Sequence, residues 1–560
     1  MDINFKKKTI VIYSLLVLSP LFWKGGADEA FSQKIESPEM RFAKLITPED
    51  AKKHLSVLAS DEYEGRETCM KGQKKAAKYI AENFKNIGLQ PANNKNYFQK
   101  FPVMISAPDS VTMKAGKNKY QNFKDFYVSP YGRDLKLETK SILFLGYGIS
   151  PQIEGTDTFN QYDDYKNADV KNKIVLVLGG EPMSEDSVSL ITGTKELSDW
   201  ATNFQMKTNL AKSKGASAIL IVNANFDGSI KALRRFQESP AMKIEKGSPS
   251  RNMSADKENK EERKKIPQIG ITIQTANDIL ASKNITVENL KKKISTTKQS
   301  LSFEIKSPLE MEIINKEDTV SSENILGMIE GTKFKDEVIF ITAHYDHLGI
   351  RDGKVFNGAD DDGSGTVGVM EIANAFARAK EAGFAPKRTI VFMTVSGEEK
   401  GLLGSYYYTA NPIFPIANTV CDLNIDMIGR FDDNHKKDSA YVYLIGSDKI
   451  STELHQINET ANATYTKLKL DYKYNDLSDP NRFYYRSDHY NFAKKGVPII
   501  FYFNGVHDDY HKETDEISKI KFDLLAKRAQ LVFYTAWELA NRKNRIVSDV
   551  TEKEDAPQEK

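Results

Sequence analysis

Four apolar runs in the second half of the chain each lead into ionisable residues. IFITA (339–343) is followed by His344, Asp346 and His347, and VFMTV (391–395) leads into Glu398 and Glu399. CDLNI (421–425) is followed by Asp426, and PIIFYF (498–503) leads through a loop to His507, Tyr510 and His511. A further acidic stretch, NGADDDGSG (357–365), opens a helical segment. Each feature alone is ordinary: DDDG runs make turns, and Glu-Glu pairs are usually surface charge. Their joint occurrence is not. Imidazole and carboxylate gathered without thiolate suit catalytic zinc or a similar divalent ion. The only two cysteines, Cys69 and Cys421, form no CxxC, so thiolate ligation is excluded. The absence of HExxH excludes the helix-borne mononuclear site.

These residues need a frame that delivers them to one place. The apolar runs are continuous rather than alternating, as strands covered on both faces require. Helical stretches lie between them, including 366–383 and a long last helix near 521–544. The pattern predicts an α/β fold, a mostly parallel mixed sheet sandwiched by helices. In such sheets, sites form at the carboxyl ends of the strands, where these ionisable residues fall. Upstream, residues 48–94 carry helical spacing interrupted by the polar loop DEYEGRETCMKG. Residues 138–305 change character, with short strand-like runs such as SILFLGYG and KIVLVLGG, a helix near 202–216, and a polar stretch at 242–265. The division expected is therefore residues 31–137 and 306–545 as two parts of a catalytic domain, 138–305 as a β-rich insert, and 546–560 as a disordered tail.

A net charge of +2, with 40% hydrophobic and 28% charged residues, gives no electrostatic case for nucleic acid or a membrane surface. The N-terminus has Lys6, Lys7 and Lys8, an apolar run from Thr9 to Trp23, and small residues after it. That is a secretory signal pattern, so residues 1–30 are expected to be removed, leaving no membrane span, and the protein is expected to be periplasmic or extracellular. Cys421, within an apolar run, reads as a buried free thiol.

The motifs AHYDH (343–347), GADDDGSG (358–365), SGEEKGLLGS (396–405), NIDMIGR (424–430), RSDHYNF (486–492) and DYHKETDE (509–516) resemble, in order and spacing, those of the two-zinc aminopeptidases. That family includes glutamate carboxypeptidase and glutaminyl cyclase relatives. LASDEYEGR and KYIAENFKNIGLQP upstream share the likeness, and the 138–305 region resembles the protease-associated domain often inserted in the family.

The resemblance implies a zinc-dependent exopeptidase acting on peptides. His344 and Asp426 would bind one Zn²⁺, Glu399 and His511 the other, and Asp361 would bridge them, with Co²⁺ or Mn²⁺ as possible substitutes. Glu398 would be the general base, and Tyr510 would donate to the developing oxyanion. Asp346 would fix the His344 ring, and Arg486, Asp488 and His489 would lie beside the substrate. A cis peptide is implied after Asp361. His347 and His507 are near this set but unassigned. A carboxypeptidase or dipeptidase of the glutamate carboxypeptidase type shares the same metal residues and stands as the alternative to an aminopeptidase. Arg482 and Arg486 are then the cations available for a substrate carboxylate.

Overall fold

Branched and aromatic residues fill the runs seen in the sequence, and both faces of these strands are buried. In the computed structural model, which describes residues 36–129, 134–150, 162–230, 241–244, 265–476 and 478–550, they form the middle of a large mixed sheet. The expected signal segment, most of the polar stretch 242–265, and the tail from residue 551 lie outside the described residues.

The principal strands are β1 (Phe98–Ala115), β2 (Leu309–Ile329), β3 (Phe334–His344), β4 (Arg388–Val395), β5 (Thr419–Ile425), β6 (Tyr441–Ile445), β7 (Lys469–Asp471) and β8 (Ile499–Phe503). Their order across the sheet is β7-β6-β8-β5-β3-β4-β2-β1. The four neighbours β8, β5, β3 and β4 are mutually parallel, so their carboxyl ends meet at one edge. Antiparallel strands flank them, β2 against β4 and β6 against β8.

The long antiparallel ribbon of β1 and β2 is not visible in the apolar pattern. It pairs from Phe98 opposite Ile325 to Ala115 opposite Leu309. Its middle is polar because it bridges two cores: Ile325 and Ile329 pack with the central sheet, whereas Leu309, Met311 and Ile313 pack with a second sheet. That second sheet runs Ser302–Ile305, Ile142–Leu145, Ile174–Leu178, Ala218–Val222, Gln268–Ile271, Phe126–Val128. It therefore draws a strand from upstream of residue 138. Cys69 and Cys421 are both free thiols, and Cys421 is buried.

Helices α1 (Pro48–Leu58), α2 (Lys71–Asn86), α3 (Gly365–Glu381) and α4 (Phe522–Asn541) cover one face. The start of α1 follows from its sequence: the Thr47 side chain accepts from Asp50 N, Pro48 needs no donor partner, and Glu49 and Asp50 meet the positive helix end.

Two fully buried arginines tie the strand-end loops to this layer. Arg66 donates to the carbonyl oxygens of Tyr345 at 2.8 Å, Leu58 at 2.8 Å, Asn357 at 2.7 Å and Gly358 at 2.9 Å. It thereby joins the loop after β3 to the loop before α3. Arg528, on α4, donates to the carbonyls of Tyr441, Ile428 and Arg430 at 2.6–2.7 Å, which fixes the loop after β5. A guanidinium fork can meet several carbonyls at fixed angles, which an ammonium cannot. Arg66→Lys should therefore leave buried carbonyls unpaired and destabilise the fold by on the order of 3 kcal/mol, read by urea denaturation.

Glu371 on α3 is buried, with Oε1 3.6 Å from His54 Nε2. Burial, reinforced by Asp50 and opposed by Lys53, pushes its carboxyl up to about 8. The folded chain holds a proton there that the unfolded chain releases near an ordinary glutamate value of ~4.3, so stability falls as pH rises between the two. Glu371→Gln should raise Tm more at pH 8.5 than at pH 5, and an equal shift at both would contradict this assignment.

Candidate metal centre

The parallel order β8-β5-β3-β4 places neighbouring strand ends ~5 Å apart, close enough for side chains from each to converge. His344 is the last residue of β3, and Asp426 directly follows β5. Glu398 and Glu399 follow β4 after a turn at Gly397, whose φ is +84°. Asp361 lies in the loop before α3, and the Asp361–Asp362 peptide is cis, as the resemblance implied.

The side chains form two groups that share Asp361. His344 Nε2 lies 3.4 Å from Asp361 Oδ1 and 3.7 Å from Asp426 Oδ2. On the other side, His511 Nε2 lies 3.0 Å from Asp361 Oδ2 and 3.2 Å from Glu399 Oε1. Glu398 Oε2 is 3.9 Å from His344 Nε2, facing the first group. Tyr510 stacks on His511 with ring centres 3.9 Å apart, and its hydroxyl accepts from Arg486 Nη2 at 3.2 Å. Its phenol is held well above the usual value by burial and then by Asp361 and Glu399, so it remains a donor.

The flanking members of the acidic triplet hold the frame. Asp362 accepts from the backbone N–H groups of His344, Gly365 and Met427 at 3.2, 2.8 and 2.9 Å, stapling β3, α3 and the loop after β5. A Cβ at Gly365 would sit 2.4 Å from Asp362 Oδ1, so this staple requires glycine there. Asp360 accepts from Gly429 N at 2.6 Å and from Ser364 Oγ at 2.9 Å. Asp515 accepts from Asp360 N and Asp361 N. The middle aspartate is the one left facing the cleft, and its Oδ2 is buried without a hydrogen bond.

The charges at this point call for cations. Burial alone would raise the Glu399 carboxyl, but His511 and His347 hold it well below its ordinary value. Burial opposes protonation of His511, yet Glu399 and Asp361 raise it to about 10. The donor set is nitrogen and oxygen only, three of its residues are almost fully buried, and the His344–Asp361–Asp426 and His347–Asp361–Glu399 groups each have the reach to hold one ion. The residues present fit zinc or a similar divalent metal.

Several expectations are corrected. The His344 ring is oriented by the backbone carbonyl of Asp346, 3.1 Å from Nδ1. Oδ1 of the Asp346 carboxylate is 3.8 Å away because the carboxylate is engaged elsewhere, accepting from Thr68 Oγ1 at 2.6 Å and Glu398 N at 3.2 Å. Asp488 and His489 are fully buried and cannot touch a substrate directly. Asp488 accepts from Ser405 Oγ at 2.5 Å. His489 Nε2 bonds the Tyr484 carbonyl at 2.8 Å, its ring stacks on Phe501, and burial lowers it to about 3. Arg486 is exposed beside Tyr510. His507 pairs with Asp360, Nε2 to Oδ2 3.2 Å. Sequence reasoning gave Ser487 no part in holding Asp426, although its hydroxyl donates to Asp426 Oδ2 at 2.7 Å, and gave none to Thr68, Arg66 or Asp515. No spacing marks these, since each reaches the site through tertiary contact. His347 carried a signal, its place in HYDH, and it is fully buried with Nδ1 3.0 Å from Glu399 Oε1.

Several known proteins are similar to this chain. A protein of Pyrenophora tritici-repentis described as "Probable zinc metalloprotease" is 30% identical over 265 residues, which is 40% of this chain and 52% of the relative. Leucine aminopeptidase 1 of Penicillium rubens is 29% identical over 213 residues, 37% of this chain and 53% of the relative. The chain thus spans about half the length of the curated relatives it matches. The solved aminopeptidase from Aneurinibacillus sp. strain AM-1 superposes with a TM-score of 0.50 at 18% identity, covering 92% of this chain and 98% of that one, a likeness of fold. Residues 324–536, which contain every residue of the two groups, match the profile of peptidase family M28.

Proposed function

We propose that the chain is a two-metal exopeptidase, an aminopeptidase that removes N-terminal residues from peptides. The observation that carries this reading is the pair of ligand groups sharing Asp361, with the Glu398 carboxylate beside one of them. His344, Asp361 and Asp426 would hold one divalent ion, and Asp361, Glu399 and His511 the other. When bound, such ions would supply Lewis acidity to polarise a scissile carbonyl and make an attacking water more acidic.

The chain's own residues supply the rest. Glu398 lies outside both groups yet faces His344 at 3.9 Å, so it is placed to take the proton of the attacking water and pass it to the leaving amine. Its position is fixed through its backbone, which donates to Asp346. Tyr510 donates to the oxygen on which negative charge develops, and Arg486 beside it adds positive charge at the same place. Ser487 keeps Asp426 oriented by donating to the oxygen nearest His344.

Arg486 also carries the second reading. An exposed guanidinium at the cleft is a receptor for a C-terminal carboxylate, which a carboxypeptidase or dipeptidase requires. Amino-acid p-nitroanilides and N-blocked dipeptides, offered to the zinc-loaded enzyme, separate the two. Turnover of the free-amine substrate alone supports the aminopeptidase, and turnover of the blocked dipeptide alone establishes the carboxypeptidase. Glu398→Gln should lower kcat by ~10²–10⁴, with metal content by mass spectrometry equal to wild type. A fully active mutant would sink the mechanism.

A further inference from the structure

His347 is a fully buried imidazole, and neither ring nitrogen makes a hydrogen bond. Neighbouring buried histidines are different. His344 meets the Asp346 carbonyl, His489 the Tyr484 carbonyl, and His507 the Asp360 carboxylate. Burying a polar ring without a partner is costly, so an unsatisfied one in a charged cluster asks what it faces.

His347 Nδ1 lies 3.0 Å from Glu399 Oε1 and 3.8 Å from Asp361 Oδ2. The shorter distance would suit a hydrogen bond, yet neither nitrogen of the ring is satisfied by one. A buried imidazole nitrogen close to two carboxylate oxygens, without a hydrogen bond of its own, is placed as a ligand of a common ion would be. His511 Nε2 lies 3.0 Å and 3.2 Å from the same two oxygens. Ligands bound ~2.0–2.1 Å from a tetrahedral zinc are about 3.3–3.4 Å apart, and these separations bracket that value. The two imidazoles approach the oxygens from different directions, with rings 66° apart and centres separated by 5.9 Å.

We propose that His347 is a direct ligand of the ion held by Glu399, His511 and Asp361, completing a set of two nitrogens and two oxygens. The inference rests on the two-ion reading above. It makes the centre unequal: one ion has four protein ligands, and the other has three, from His344, Asp361 and Asp426. The first should bind more tightly and exchange more slowly.

The full-length protein loaded with Co²⁺ gives a direct reading. Hyperfine-shifted, solvent-exchangeable proton signals in NMR count the ligating imidazoles. Three such signals are expected, from His344, His347 and His511, and two would overturn the inference. Stepwise Zn²⁺ titration against a competing chelator extends the test to His347→Ala and His347→Gln, with circular dichroism as the folding check. One site should keep its wild-type affinity while the other weakens by at least about 100-fold, the upper end of what loss of a mere supporting contact costs. The visible Co²⁺ spectrum should change as well. Two wild-type affinities with an unaltered spectrum in a folded variant would place His347 outside the metal shell. Wild-type protein binding fewer than two ions would instead overturn the functional reading on which this rests.

Discussion

The structure is organised around crowding of negative charge. Asp346, Asp360, Asp361, Asp362, Glu399, Asp426, Asp488 and Asp515 are all buried near the carboxyl ends of four strands, with Glu398 beside them. Ionised carboxylates out of water repel one another and lose solvation, so each needs a donor or a cation. Backbone N–H groups serve Asp360, Asp362 and Asp515, and hydroxyls serve Asp346, Asp426 and Asp488. Asp361 and Glu399 instead have imidazoles for neighbours.

The same logic separates residues that look alike in sequence. In the run Asp360-Asp361-Asp362 the outer two turn into the protein and staple loops, while the middle one turns to the cleft. Glu398 and Glu399 follow a strand end in a tight turn, so their side chains diverge. Glu399 enters the group with His511, and Glu398 stays within 3.9 Å of His344. Adjacency of like charges, costly on an ordinary surface, is tolerable here because each carboxylate has a different partner.

Rigidity comes from below the site. Arg66 and Arg528 bind backbone carbonyls of the loops that carry the metal residues, so these loops are held by buried guanidinium groups rather than by side-chain packing alone. Parallel pairing supplies the remaining precision. Four neighbouring strands with one direction bring His344, Glu399, Asp426 and the segment leading to His511 to a single edge, whereas the antiparallel flanks contribute no residue to either group.

The amino-acid sequence by itself determined the α/β class, the central strands, both cover helices near 48–86, and the identity of the metal-site candidates, because continuous apolar runs and the ionisable residues after them are local signals. It did not reveal the β1–β2 ribbon, whose polar middle hides a pairing made between two distant segments, nor the strand 126–128 that joins the second sheet. At the site, spacing could not tell that Asp346 steers His344 through its carbonyl, that Asp488 and His489 face inward, or that Ser487 and Thr68 hold carboxylates in place. Those outcomes depend on which side of a turn each side chain leaves, and on what lies across from it. Residue types near a strand end are written in order along the chain. Their partners are chosen only when the strands assemble, because hydrogen-bond direction and burial belong to the packed structure.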